Sequence, residues 1–224
     1  MLFLLLKQIE NVITFGIGDN YFKMNTKKLS DIIGNSDIYL FDQILKERYN
    51  QKDKILDAGV GSGRNLYWFC NNNYDIWGLD ENPESIHFVN QIYPERANNF
   101  IVCEISSTPF QDNYFDHIIC CAVLHFAKSV SHFKEMVAEL VRILTLGGSL
   151  FIRMASNVGI ESYITPIENG IYKLGDESER FLLTNELLLE IMNIHQLTFL
   201  EPLKSTNVNN LRCMSTLVLE KKHL

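Results

Sequence analysis

The sequence has no C-x-x-C pair, no internal repeat, no low-complexity segment and no basic run beyond pairs such as Lys27-Lys28 and Lys221-Lys222. Each absence narrows the field. Phosphate binding is driven largely by Lys and Arg, so a formal net charge of −7 without basic runs argues against nucleic acid as the main partner. No aromatic stripe is interleaved with Lys or Arg, which removes the usual single-strand stacking surface. The five cysteines are odd in number. They read as reduced, mostly buried thiols in a reducing compartment, which places the chain in the cytoplasm. In a strand, the adjacent Cys120 and Cys121 would face opposite sides, so a shared metal or redox role is not expected. His87, His117 and His132 have no metal-like spacing and read as surface or helix residues; no metal site is expected.

The opening segment MLFLLLKQIENVITFGIG lacks a basic region, and its continuous apolar run covers only Leu2 to Leu6. That is too short for a signal-peptide core or a membrane span. Two readings stay open: an apolar helix start that docks on the domain or on a partner, or an upstream extension with the natural start at Met24.

What is present is an ordinary globular composition. The 224 residues are 46% hydrophobic and 21% charged, enough for one domain with a small cap and a full core without disulfides. Residues 30–49 read as helix, with Ser36 or Asp37 as a cap. From Lys54 strands and helices alternate: KILDAG, then RNLYWFCNN, DIWGLD, NPESIHFVNQIY, FIVCEI, FDHIICCAVL, VSHFKEMVAELVRIL and GSLFIRMAS. This rhythm predicts a parallel sheet covered on both faces. Residues 156–183 are polar and glycine-bearing and read as a loop or small cap. TNELLLEIMNIHQ is helical, and LTFLEPL with RCMSTLVLEKK predicts an antiparallel hairpin.

Three of the twelve glycines, Gly59, Gly61 and Gly63, follow the first strand. A glycine turn between a first strand and first helix is the ligand edge of an α/β sheet. The spacing is G-x-G-x-G, and the third glycine of a dinucleotide fingerprint would fall on Arg64, which weakens a nicotinamide or flavin reading. Asp80 ends the second strand, where a carboxylate accepts ribose hydroxyls. Glu104 ends the third, where it can take an adenine amino hydrogen with Ile105 against the ring. Each cue is weak alone; three successive strand ends in this order are strong.

The segments LDAGVGSGRN, GLDENP, FIVCEISSTPFQDNYFDHII, CAVLHF and RILTLGGSLFIR resemble successive motifs of class I S-adenosylmethionine-dependent methyltransferases. The likeness is nearest to the small-molecule group related to ubiquinone-biosynthesis and tellurite-resistance enzymes, and is good over roughly residues 37–154. It implies a doubly wound, mostly parallel seven-stranded sheet with an antiparallel final strand. It also implies S-adenosylmethionine as cofactor and methyl transfer to a small molecule. Under it, residues 1–50 form an N-terminal extension and lid helix. Residues 51–224 form the methyltransferase domain, with 155–183 as a cap or substrate loop, in a monomer or homodimer. Carried over, Asp57 and Gly59, Gly61 and Gly63 hold the methionine part, and Asp80 the ribose. Glu104 and Ile105 flank the adenine, and Cys121 and Ala122 line the cofactor near its sulfur. Glu104 stands where the family commonly has Asp, and Leu146 where a proline is common.

His125, just past the fourth strand, is the catalytic candidate: it is placed to act as base, or to stack near the adenine. Arg153 leaves the fifth strand on the same face, to anchor an anionic acceptor or to pair with Glu161 or Asp176. Arg180 and Arg212 are weaker candidates of the same kind. Tyr39 and Tyr21 are candidates to close over the cofactor. Two further readings are a non-catalytic S-adenosylmethionine-binding sensor or partner subunit, and a nicotinamide oxidoreductase.

Overall fold

The computed structural model describes residues 28–222. The apolar run at Leu2–Leu6, Tyr21 and Met24 lie outside the described residues. The predicted N-terminal helix is two helices, α1 (Leu29–Ile33) and α2 (Ile38–Leu45), broken at Gly34, where φ is +61°. Asp37 caps α2, accepting from the Tyr39 amide at 3.0 Å.

Strands β1 (Lys54–Ala58), β2 (Asp75–Asp80), β3 (Phe100–Val102), β4 (Phe115–Cys121) and β5 (Leu144–Ala155) are parallel and lie in the order β5-β4-β1-β2-β3. Helices α3 (Tyr67–Asn71), α4 (Pro83–Ile92) and α5 (Val130–Ile143) connect them. Proline opens α4 where helices tolerate it, and Ser129 caps α5 by accepting from the His132 amide.

Three short strands follow, β6 (Thr165–Pro166), β7 (Ile171–Lys173) and β8 (Glu179–Phe181), paired antiparallel in a small separate sheet. The segment expected as loop or cap is thus a built element. Its own core joins Ile160, Leu174 and Leu182 to Ala155 and Cys213. Helix α6 (Asn185–His195) is capped by Thr184. Then β9 (Leu197–Phe199), β10 (Lys204–Val208) and β11 (Arg212–Lys221) complete the main sheet. β11 runs antiparallel to β5, and β10 and β9 lie end to end along its other edge. The sheet is therefore seven strand positions wide with an antiparallel edge, as the sequence leads one to expect.

Alternation of side chains splits the core between the faces. Leu56, Ile118, Cys120 and Ile152 pack with α5 and α6, while Ile55, Ile119, Cys121 and Phe151 pack with α2, α3 and α4. Cys120 and Cys121 do face opposite sides, and all five cysteines are free. His117 is neither a surface nor a helix residue. It is a half-buried residue of β4, within 3.0 Å of Asp53 and 2.7 Å of Ser149, because the strand that FDHIICC forms turns its ring inward along the sheet. Among the described residues, no helix is long and apolar enough to cross a membrane.

Candidate functional site

Two cavities open at the C-terminal ends of the parallel strands, where open α/β sheets bind ligands. The first, about 390 Å³, is lined by Gly59, Gly61, Asp80, Glu104, Ile105, Cys121 and Ala122 among others. Seven sequence-predicted cofactor residues thus share one wall system. Gly63 and Asp57 do not line it.

The three glycines have three different reasons. A Cβ on Gly59 would stand 2.3 Å from a methyl of Val123, so this glycine serves packing, at φ +85°. At Gly61 a Cβ would meet nothing within 4 Å, so its missing side chain leaves ligand room, at φ +52°. A Cβ on Gly63 would press on Val89 of α4 at 3.3 Å. Asp80 is already engaged: one oxygen accepts from the Gly61 amide at 2.8 Å, the other from the Asn82 amide at 2.9 Å. It therefore pins the glycine turn while its remaining lone pairs face the cavity. Ala122 closes β4 at φ +63°, a costly conformation for a residue with a Cβ, and donates its amide to the Arg153 carbonyl.

Asp57 lies under the turn, in β1, with both carboxylate oxygens buried and unpartnered. Burial raises its pKa to about 8, against the lowering by Arg64. A buried carboxylate without a donor is costly, and costs least opposite a cation. Arg64, where a dinucleotide site has glycine, lines the cavity, and its guanidinium lies 3.8 Å from Asp37 and 3.5 Å from the Cys121 sulfur at the end of β4.

Sequence reasoning missed Phe126, Lys128, His132 and Met136 in this cavity. Phe126 closes the CAVLHF segment, while Lys128, His132 and Met136 sit on the turn after it and the first turns of α5, where no motif marks them. His132 was expected as a plain surface or helix residue. It belongs to α5, but its ring lines the cavity and Nδ1 accepts from the Lys128 amide.

The second cavity, about 330 Å³, gathers His125, Arg153, Asp176, Ser178, Arg180 and Arg212 with several apolar side chains. His125 and Arg153 therefore come together, but away from the glycine turn; His125 does not reach the adenine side. Its Nδ1 accepts from the Ala155 amide at 3.3 Å. A neutral ring so bonded carries its hydrogen on Nε2 and offers the cavity a donor rather than a base. Burial, Arg180 and Arg153 lower its pKa to about 4. Arg153 pairs with Asp37 at 3.3 Å and not with Glu161 or Asp176, because β5 aims it toward the N-cap of α2. Tyr39 does not close over the first cavity: its hydroxyl meets Thr206 at 2.5 Å, and Arg153 lies over its ring at 5.1 Å. Among the described residues, no three His, Cys, Asp or Glu converge as for a metal ion.

The cavities are neighbours. Phe126 lines the first and His125 the second, and Cys121 and Arg153, one from each, are register partners on β4 and β5.

The family described as "Methyltransferase domain" matches residues 56–152. A probable tRNA methyltransferase 9B of Bos taurus is 30% identical over 49% of this chain and 23% of its own length. A probable S-adenosyl-L-methionine-dependent methyltransferase TehB of Haemophilus influenzae is 30% identical over 40% of this chain and 30% of its own length. The chain thus spans less than a third of either relative. A solved S-adenosylmethionine-dependent methyltransferase of Methanosarcina mazei superposes with a TM-score of 0.67 at 20% identity, covering 81% of this chain and 98% of that one, a likeness of fold. With the glycine turn, the strand-end carboxylates and the seven-position sheet, these matches identify residues 56–152 as a class I S-adenosylmethionine-dependent methyltransferase domain.

Proposed function

We propose that this protein transfers the methyl group of S-adenosylmethionine to a small-molecule acceptor, with cofactor in the first cavity and acceptor in the second. The observation that carries this reading is the adjacency of two differently built cavities at the ends of β4 and β5. Gly61 leaves room, Asp80 offers lone pairs to ribose hydroxyls, and Glu104 and Ile105 take the adenine. The buried, unpartnered carboxylate of Asp57 suits the positive methionine ammonium. Cys121 and Ala122 lie nearest the acceptor side.

When bound, S-adenosylmethionine would supply an electrophilic methyl group carried on a sulfonium. The chain's task is alignment. His125 contacts the acceptor through Nε2–H, Arg153 anchors it, and residues 155–183 cap it against water. Orientation of this kind accounts for much of the acceleration in such reactions.

The bovine relative's name refers to tRNA, but an acidic chain with no basic stripe favours a small acceptor. We place the protein in the cytoplasm, on its five free cysteines, as a monomer or homodimer. The test is release of S-adenosylhomocysteine across an acceptor panel that includes transcribed tRNA. Turnover on a small molecule is expected. Turnover on tRNA alone would overturn the acceptor class, and cofactor binding without any turnover would favour a sensor or partner subunit.

A further inference from the structure

Three guanidinium groups from three elements converge on the second cavity: Arg153 from β5, Arg180 from β8 and Arg212 from β11. Two are answered by carboxylates, Arg153 by Asp37 and Arg212 by Asp176, each at 3.3 Å. Asp37 is also shared with Arg64 at 3.8 Å. Arg180 has no carboxylate partner among the described residues. Its Nη1 reaches only the carbonyl of Glu179, and its guanidinium lies over the Phe126 ring at 5.1 Å. Arg153 adds a buried Nε with no partner. In a chain of net charge −7, this cavity therefore holds more guanidinium than carboxylate charge, and unspent donors. The hydrogen-bearing Nε2 of His125 adds a further donor. Leu174, Val208 and Met214 supply an apolar remainder.

We infer that this cavity takes a small monocarboxylate with an apolar body, its carboxylate held by Arg180 and Arg153, with Arg212 alongside. The inference names the acceptor class for the methyl-transfer reading above and rests on it. A planar guanidinium meets a carboxylate bidentately. The unpaired Arg180 supplies the charge and the fork for that carboxylate, and Leu174, Val208 and Met214 receive the apolar body.

The test uses the full chain and follows the His125 ring by NMR during pH titrations with benzoate, octanoate or the neutral isostere benzamide. Burial is the larger cause of the lowered His125 pKa, and Arg180 and Arg153 add to it; an anion beside Arg180 offsets that added part, so a bound carboxylate raises the titration midpoint. Benzoate or octanoate is expected to raise it by about one unit, and benzamide to leave it in place. Arg180→Gln is expected to raise the midpoint without ligand and to weaken carboxylate binding roughly tenfold; Arg180→Lys, which keeps charge but not the fork, falls between. A midpoint unmoved by both carboxylates, or carboxylate binding unchanged in Arg180→Gln, would overturn the inference. Calorimetry with S-adenosylmethionine on the same samples separates the two readings. Intact cofactor binding with no carboxylate effect removes this inference alone. A carboxylate effect without cofactor binding leaves the anion site standing and removes the methyl-transfer reading.

Discussion

The two cavities are built in opposite ways. The first comes from short, consecutive pieces of chain at the ends of β1, β2, β3 and β4, and its chemistry is backbone room and a turn pinned by Asp80, with the buried unpartnered carboxylate of Asp57 beneath that turn. The second is closed by distant pieces: the turn at His125, β5, the small sheet and the β10–β11 hairpin, and its chemistry is cationic side chains. The contrast teaches that one cavity is shaped mainly by backbone and the other by side chains, so the two should respond to different changes.

The largest effects should come from the glycines, and they should differ in kind. Gly61→Asn keeps a residue type tolerant of φ +52° and places a side chain in open cavity space. It is expected to abolish S-adenosylmethionine binding by calorimetry while leaving the denaturation midpoint near that of the parent. Gly59→Ala sets a Cβ against Val123 at φ +85°. It is expected to destabilise by roughly 3 kcal/mol in chemical denaturation, partly recovered in a Gly59→Ala, Val123→Ala double variant. Equal behaviour of the two glycine variants would erase the distinction between packing and ligand room.

Asp80→Ala should weaken cofactor binding roughly tenfold to a hundredfold, since it removes a charged acceptor and frees the Gly61 amide. The same change should leave carboxylate binding at the second cavity unaltered, which NMR of His125 would check.

Asp57 sharpens the comparison through pH. Its pKa rises from 3.8 to about 8 on folding, chiefly through burial. Between these values the unfolded chain has lost the proton that the folded chain keeps, so stability falls as pH rises across that window and levels above it. Asp57→Asn should flatten this fall, measured as denaturation at pH 5 and pH 8, and should weaken cofactor binding. The smallest expected effect is at Ala122, where Ala122→Gly relieves the strained backbone at φ +63° by about 1 kcal/mol, less the entropy gained by the unfolded chain.

The sheet and the first cavity were largely legible in the sequence. Gly59, Gly61, Asp80 and Glu104 sit at strand ends within one unbroken alternation, so position along the chain fixes position in space. The break at Gly34 and the small sheet were not. Strands as short as β6 to β8 carry no periodicity, and Gly170, which reads as a loop residue, is required because a Cβ there would meet the Phe181 ring at 2.5 Å. His117 was misplaced because its partners, Asp53 and Ser149, come from neighbouring segments that only sheet register brings together. Arg153 was legible as an outward cation, but its partner Asp37 lies in the N-terminal helix pair, which carries no motif. Long-range closure, rather than local pattern, decides the second cavity.

The measurement that tests the account most directly is calorimetric titration of S-adenosylmethionine, beside NADH as control, into the parent chain, Gly61→Asn and Arg180→Gln. The account predicts binding of S-adenosylmethionine and not NADH to the parent, loss in Gly61→Asn, and unchanged affinity in Arg180→Gln. Parent protein that ignores S-adenosylmethionine, or Gly61→Asn that binds it as tightly as the parent, would contradict the assignment of the first cavity and the methyl transfer built on it.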